Sequence, residues 1–431
     1  MTATGPDVAR SCEQAARDAI GTCRRLASSS DEPGFTTRTF LSAAARTVLD
    51  DLGAWMTRVG MQTRTDMAGN LRGVYAGTAG DAPTLYIGSH LDSVPHAGAF
   101  DGILGVVLGI TLVDLLRGRR LPFGIEVVGF SEEEGVRFGT PFIGSRALVG
   151  TLDESLLQRR DAQGSSVADA IRAFGLDPAR VGEARVSNAL GYFELHIEQG
   201  PVLENLALPL GVVRAIVGQT RGEAIFIGQA AHAGTTPMEL RRDAVAAAAE
   251  WITAVESAAQ KLAGLVATVG RIDADPGAGN VVAGRCHVSL DVRHAQDEIR
   301  RDTVDSLRQR AEEIARRRRL QIDWVTAIDQ PAVEMDTQLT STLARAVERS
   351  GVPVHVMTSG AGHDAMIMAS QMPSAMLFVR SPGGVSHHPD ETVNDADVAV
   401  ALKAALYFLE ELAAAGPPRG TRPASVEGAS T

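Results

Sequence analysis

The chain has 431 residues, longer than a single hydrophobic core usually supports, so two domains are expected. Its 45% hydrophobic and 22% charged content is that of an ordinary globular protein, and 41 basic against 52 acidic side chains leave a net charge of −11. That balance favours solubility and argues against a nucleic-acid or anionic-membrane partner.

In chain order, Met1–Arg10 lacks the basic and apolar segments of a secretory signal. Cys12, Cys23 and Cys286 are too few and too scattered for a disulfide framework or a thiolate metal site, and they fit a reducing compartment. A cytoplasmic location is therefore expected. Thr84–Gly88 is a short apolar run that reads as a buried strand. Ile103–Leu116 reads as a helix, interrupted by Asp114 and short of the ~20 residues that span a bilayer. Gly124–Phe130 is the next strand, and Tyr192–Ile197 another, alternating Phe193, Leu195 and Ile197 against Glu194 and His196. Strands alternating with helices predict an α/β domain with a mostly parallel sheet.

The texture changes after about Gly211. Two β-rich runs, Gly211–Val217 and Glu223–Gly228, lead into a helix expected from Pro237, with Thr236 as N-cap and Glu239 completing a capping box. Strands over Leu265–Arg271 and Cys286–Val292, a helix over Gln296–Arg318 and a strand over Gln321–Ile328 follow. The basic run Arg316–Arg319 ends that helix, where cations complement the helix dipole. This β–α–β–β–α–β order predicts a smaller α+β (ferredoxin-like) domain over 215–329 that interrupts the first. The first domain (1–214) then resumes over 330–414 with a helix from Thr337, strands Val354–Met357 and Ala375–Val379, and a helix over Ala396–Ala413. Residues 415–431, rich in Pro, Gly and Ser, read as a disordered tail.

Histidines and carboxylates gather just beyond the strands. His90 ends the first strand, and Asp92 two residues on can accept the imidazole's second N–H, the arrangement that orients a metal-bound histidine. Asp101, eleven residues after His90, opens the next helix, where a carboxylate can bridge two cations. Glu132-Glu133-Glu134 follows the next strand, and two of its carboxylates can divide into a metal ligand and a general base. His196 ends a further strand, and Ser386-His387-His388-Pro389 lies in the loop after the last. Nitrogen and carboxylate ligands without thiolates suit zinc, manganese, cobalt or nickel, and the set is large enough for two ions sharing one carboxylate at roughly 3.5–4 Å.

Several segments carry a family resemblance: Gly-Ser-His90-Leu-Asp-Ser, Phe-Asp101-Gly, Glu-Glu133-Glu134-Gly-Val-Arg-Phe, His196-Ile-Glu-Gln-Gly-Pro, Ala-His232-Ala-Gly-Thr-Thr-Pro-Met and Gly-Val-Ser-His387. From about residue 30 to 410 the sequence resembles the M20 metallopeptidase superfamily. Within it the hydantoinase/carbamoylase branch fits best, since His196 stands where many M20 peptidases use a carboxylate. The resemblance implies one ion held by His90, Asp101 and His196 and a second by Asp101, Glu134 and His387, with Glu133 as general base. It also implies substrate contacts from Gln199, His232, Asn280, Arg293, Gly362 and His363, with Arg293 suited to clamp a carboxylate. The implied activity is hydrolysis of the carbamoyl C–N bond of a small ureido acid. Allantoate is favoured on likeness that includes Glu32–Ser42, with an N-carbamoyl-L-amino acid as the alternative and an M20 aminopeptidase or aminoacylase behind both. In such a family the inserted domain is a lid that pairs two subunits into a homodimer, with His232 serving the neighbouring subunit. His96 is expected to be a loop residue, and the Ser-His-x-Pro pattern favours His387 over His388 as ligand. His287, His294 and His355 have no ligand-like context.

Overall fold

Thr84–Gly88 continues as a strand to His90 in the computed structural model, which describes residues 5–415. The chain first lays down β1 (Gln62–Thr65), β2 (Leu71–Tyr75), β3 (Thr84–His90), β4 (Gly124–Phe130), β5 (Ala189–Ile197) and β6 (Leu210–Ile216). Next come β7 (Gly218–Ile227), β8 (Ala231–His232), β9 (Val266–Thr268), β10 (Ile272–Asp275), β11 (Val281–Val282), β12 (Arg285–His294) and β13 (Gln321–Gln330). The last are β14 (Val333–Glu334), β15 (Val356–Ser359) and β16 (Ser374–Val379). Two units divide these elements. One runs to Arg214 and takes the chain up again at Met335–Met357 and from His363; the other holds Ala215–Glu334 and Thr358–Gly362.

In the first unit the sheet order is β1-β2-β4-β3-β5-β16-β6. The central strands β4, β3, β5 and β16 are parallel, while β1, β2 and β6 pair antiparallel. The mixed α/β fold with a mostly parallel centre is thus the one expected. Helix Ile103–Leu115 is buried all along its length to Val113, so it shows no polar face; it packs on β3, β4 and β5 and is covered by helices Gly5–Ala27, Ala43–Arg58 and Asp395–Ala415. Gly105 makes that contact possible: a Cβ there would stand 2.1 Å from the Leu195 carbonyl oxygen.

The second unit is a twisted antiparallel sheet in the order β10-β12-β7-β13, with β9 also paired to β12. Strand β12 alternates strictly. Cys286, Val288, Leu290 and Val292 face a core with Phe226, Trp251, Leu307 and Ile314, under helices Ala244–Lys261 and Asp297–Arg318. The basic run ends the second of these helices, and Arg317 and Arg318 pair with Glu250 of the first.

One element begins later than expected. No helix starts at Pro237; that residue is extended (φ −55°, ψ 147°), and a single short turn covers Met238–Leu240. The helix starts at Ala244, where the Asp243 carboxylate accepts the Ala246 N–H. A bridge between Gln229 and Arg242 closes the intervening segment into a loop of turns, so the Thr-Pro-x-Glu pattern is overridden and the later cap wins. The strand expected at Val354–Met357 lies two residues further on, at Val356–Ser359. Apart from Ala415, which ends a helix, the expected disordered tail lies outside the described residues. Among the described residues no helix is long and apolar enough to cross a membrane.

Candidate metal centre

Parallel strands deliver their C-terminal ends to one edge of a sheet, the edge where α/β folds build sites. Here β3 ends on His90, β4 leads into Glu132–Glu134, β5 ends at Ile197 just after His196, and β16 leads toward His387. The Asp-Gly pair at 101–102 completes the set. Gly102 has φ +67°, and a Cβ on it would lie 2.4 Å from the His90 ring, so only glycine lets the Asp101 turn close against that imidazole.

Asp101 is the centre of the array. Its carboxylate lies 3.8 Å from His90 Nε2 and 3.3 Å from His196 Nε2 through Oδ1, and 3.1 Å from His387 Nε2 through Oδ2. His387 Nε2 is also 3.4 Å from Glu134 Oε1. The ligand atoms form overlapping groups: His90, Asp101 and His196; Asp101, Glu134 and His387; and His90, Glu133 and Glu134. Asp101 joins the first two, while Glu133 belongs only to the third.

Tautomers test whether cations fit. His90 Nδ1 lies 3.0 Å from the Asp92 carbonyl oxygen, and His196 Nδ1 lies 2.9 Å from that of Ile197. A carbonyl only accepts, so each Nδ1 carries a proton, and in the neutral ring each Nε2 presents a lone pair. Those two Nε2 atoms face each other at 3.5 Å, with the Asp101 carboxylate beside them. Buried acceptors facing acceptors, with no thiolate among them, fit a divalent cation of the zinc or manganese type.

The carboxyl groups of the site also respond to positive charge. Burial pushes the Glu133 carboxyl well above the usual range, and Glu134 and Asp364 add to this against the charge of His90. Burial pushes Glu134 up to about 7. Burial acts on Asp101 in the same direction, but the hydrogen bond with His387 and the neighbouring imidazoles of His196 and His90 outweigh it and hold Asp101 low. The hydrogen bond with Asp101 lifts His387 to about 8. Each carboxylate here depends on positive charge to remain ionised.

Asp92 works differently from the expectation. Its main-chain carbonyl, not its carboxylate, holds His90; the carboxylate stands at 3.6 Å from Nδ1. The carboxylate instead accepts the amides of Glu133 (2.9 Å) and Glu134 (3.0 Å), fixing the loop that carries both acids. Gln199 donates from Nε2 to both Asp101 oxygens at 3.1 Å, while its buried Oε1 has no hydrogen-bond partner among the described residues. His363 is buried edge-on against His196, with ring centroids 4.5 Å apart. His388 pairs with Asp390 and His96 with Glu32, the latter stacked on Phe35, so neither joins the cluster.

Sequence reasoning missed Glu391. Its buried carboxylate accepts the amides of Phe100 (2.9 Å) and Asp101 (3.0 Å), and Ser386 Oγ lies within 3.3 Å of both Asp101 and Glu391. It ties the loop before Asp101 to the loop of His387. The only signal was its place four residues after His387.

The remaining expected contacts belong to the second unit. β8 pairs with β11, setting His232 opposite Val281, and the Ala233 amide donates to the Asn280 carbonyl at 3.0 Å. His232 and Asn280 therefore come from one short ribbon. His232 Nδ1 accepts the amides of Gly234 and Thr235, which leaves Nε2 as the N–H donor. Arg293 lies on β12, and Gly362 ends the segment Thr358–Gly362.

Imidazoles and carboxylates converging on one bridging aspartate at the strand ends of an α/β sheet define a metal-dependent hydrolase centre. The chain matches the description "Peptidase family M20/M25/M40" over residues 86–411 and belongs to that metal-dependent family. It is 40% identical over 425 residues to a rice protein named "Probable allantoate deiminase", covering 90% of this chain and 87% of that one. It is 39% identical over 384 residues to an N-carbamoyl-L-amino acid amidohydrolase of Geobacillus stearothermophilus, covering 88% and 94%. A crystal structure of a hydantoinase/carbamoylase family amidase from Burkholderia multivorans superposes with a TM-score of 0.87 at 32% identity, covering 91% of this chain and 97% of that one.

Proposed function

We propose that this chain is an amidohydrolase that breaks the carbamoyl C–N bond of a small ureido acid, with allantoate as substrate. An N-carbamoyl-L-amino acid is the second reading, because relatives of comparable identity carry that name and present the same two groups, a carbamoyl carbonyl and a carboxylate. The observation that carries the proposal is the Asp101 carboxylate held between three imidazoles, with Glu133 in the adjoining group.

Two divalent cations are assigned, one to His90, Asp101 and His196, the other to Asp101, Glu134 and His387; zinc and manganese suit these donors best, cobalt and nickel also match. When bound, such a pair would acidify water and polarise the carbonyl. The chain's own groups do the rest. Glu133 takes the proton of the attacking water and returns it to the departing nitrogen, a transfer typically worth ~10²–10⁴-fold in rate. Asp92 fixes the loop that carries Glu133 and Glu134 by holding both amides. His232, with its proton on Nε2, and Asn280 are assigned as donors to the carbonyl oxygen as it gains charge. Arg293 is assigned as the clamp on the substrate carboxylate, and Gln199, Gly362 and His363 as further pocket residues. Water adds to the carbamoyl carbon, the C–N bond breaks, and the carbamate released falls to ammonia and CO₂.

The unit of Ala215–Glu334 is proposed as a ferredoxin-like lid and dimerisation domain, with His232 serving the neighbouring subunit of a homodimer. Cys12, Cys23 and Cys286 are free and buried, in keeping with a cytoplasmic location. The test compares ammonia release from allantoate and from a panel of N-carbamoyl-L-amino acids, with Mn²⁺ supplied. Turnover of allantoate above the panel supports the first reading; turnover of the panel alone supports the second; hydrolysis of peptides in place of both overturns the proposal.

A further inference from the structure

Arg293 is not a solitary cation. On the pleat of β12 it shares a face with Asp291, two residues earlier, and the register of β12 on β7 sets Arg221 directly opposite Asp291. Asp291 takes Arg293 side-on: Nε donates to Oδ1 and Nη2 to Oδ2, both at 2.9 Å. Arg221 Nε donates to the same Oδ2 at 2.8 Å. Nη1 of Arg293 donates to the Gly360 carbonyl at 2.6 Å. This face of the sheet is open and lines a cavity of about 1020 Å³, whose walls include Val217, Val266, Thr268 and Val325 beside the charged trio. The opposite face of the same strands is the apolar core.

A guanidinium has five N–H groups. Asp291 consumes two and Gly360 one, leaving one on each terminal nitrogen. Those two are what an incoming carboxylate can take as a pair. A free arginine side chain has many rotamers, and three fixed hydrogen bonds restrict them before any ligand arrives.

We propose that Asp291 is the positioning residue of a carboxylate-recognition site: it holds the side edge of Arg293 so that the terminal nitrogens are presented to the carboxylate of the ureido acid. This rests on the reading of Arg293 as the clamp. The same contact has an opposite interpretation, in which Asp291 competes with the substrate for the guanidinium. The two differ in sign.

The experiment measures kcat and KM of the metal-loaded enzyme on its ureido acid and on a neutral N-alkylurea analogue lacking the carboxylate. Arg293→Ala is expected to raise KM for the acid by ~10²-fold or more, as loss of a buried charged contact does. Asp291→Asn is expected to raise KM for the acid by about tenfold, with kcat within about twofold and the neutral analogue unaffected. Arg221→Gln removes the cross-strand ion pair but leaves the Asp291–Arg293 pair, so it controls for loss of sheet stability and should leave KM within about twofold. If Asp291→Asn does not accumulate folded, Asp291→Glu, which keeps the charge and moves it by one methylene, gives the same readout. An unchanged or lowered KM in the Asp291 variant, beside a raised KM in Arg293→Ala, overturns the positioning role while leaving the clamp intact. An unchanged KM in Arg293→Ala removes the clamp reading itself, and the inference falls with it. Equal losses on the acid and the neutral analogue mark a merely structural effect and also overturn it.

Discussion

The two sides of the Asp101 carboxylate are built in different ways. On one side stand His90 and His196, fully buried at the ends of neighbouring parallel strands, each with its proton pinned by a main-chain carbonyl. On the other stands His387, whose side chain is 47% exposed and which sits in a loop at φ +55°, beside Glu134. The first half is a property of the sheet. The second is assembled by loops, and Glu391, Ser386 and Asp92 hold those loops in register. Two ions of the same charge on one bridging carboxylate should therefore be held unequally, the strand-end ion more tightly than the loop ion.

The strongest test of the comparison leaves both halves standing and removes the chemistry between them. Glu133→Gln should lose ~10²–10⁴-fold in kcat while elemental analysis finds the metal content unchanged; loss of an ion instead would make Glu133 a ligand and exchange its role with Glu134. Next, His196→Ala should lose the strand-end ion under all conditions, whereas His387→Ala should lose only the loop ion and regain it as free metal is raised. Equal losses in equilibrium dialysis would break the asymmetry. A third variant, Gly102→Ala, forces a Cβ into the His90 ring at a positive φ and should cost ~1–3 kcal/mol in denaturant unfolding, together with the strand-end ion. The smallest effect comes from a pair of changes at one residue. Glu391→Ala should weaken the loop ion by ~10–100-fold, while Glu391→Gln keeps an oxygen for the two amides and should weaken it far less. Parity of the two, read by metal titration, would mean that charge rather than hydrogen bonding is what Glu391 contributes.

What could be seen in the sequence follows the same division. His90, Asp101, Glu134 and His196 were legible because a strand end or a helix start fixes where such a residue goes. Asp92 was legible as a neighbour of His90, but not the target of its carboxylate, because the Glu133 and Glu134 amides it holds come from the next strand's loop, 41 and 42 residues away. Glu391 was invisible for the same reason: its partners lie 290 and 291 residues earlier in the chain. The helix misplaced at Pro237 shows the opposite failure. A good local cap was present, but the ribbon of β8 with β11 and the bridge at Gln229 hold the chain in a loop of short turns until Asp243.

The pinned imidazoles have a consequence for the life of the protein outside catalysis. Folding must bring two imidazoles and a carboxylate together in a dry place, and a divalent ion bound among them stabilises only that folded arrangement. A ligand that binds only the folded form stabilises it by RT ln(1 + [L]/Kd), about 4 kcal/mol at a thousandfold excess over Kd. The melting temperature should therefore track the free concentration of the divalent ion. Cells short of that ion would then hold less of the protein itself, through proteolysis of the destabilised chain, in addition to holding it in an inactive form.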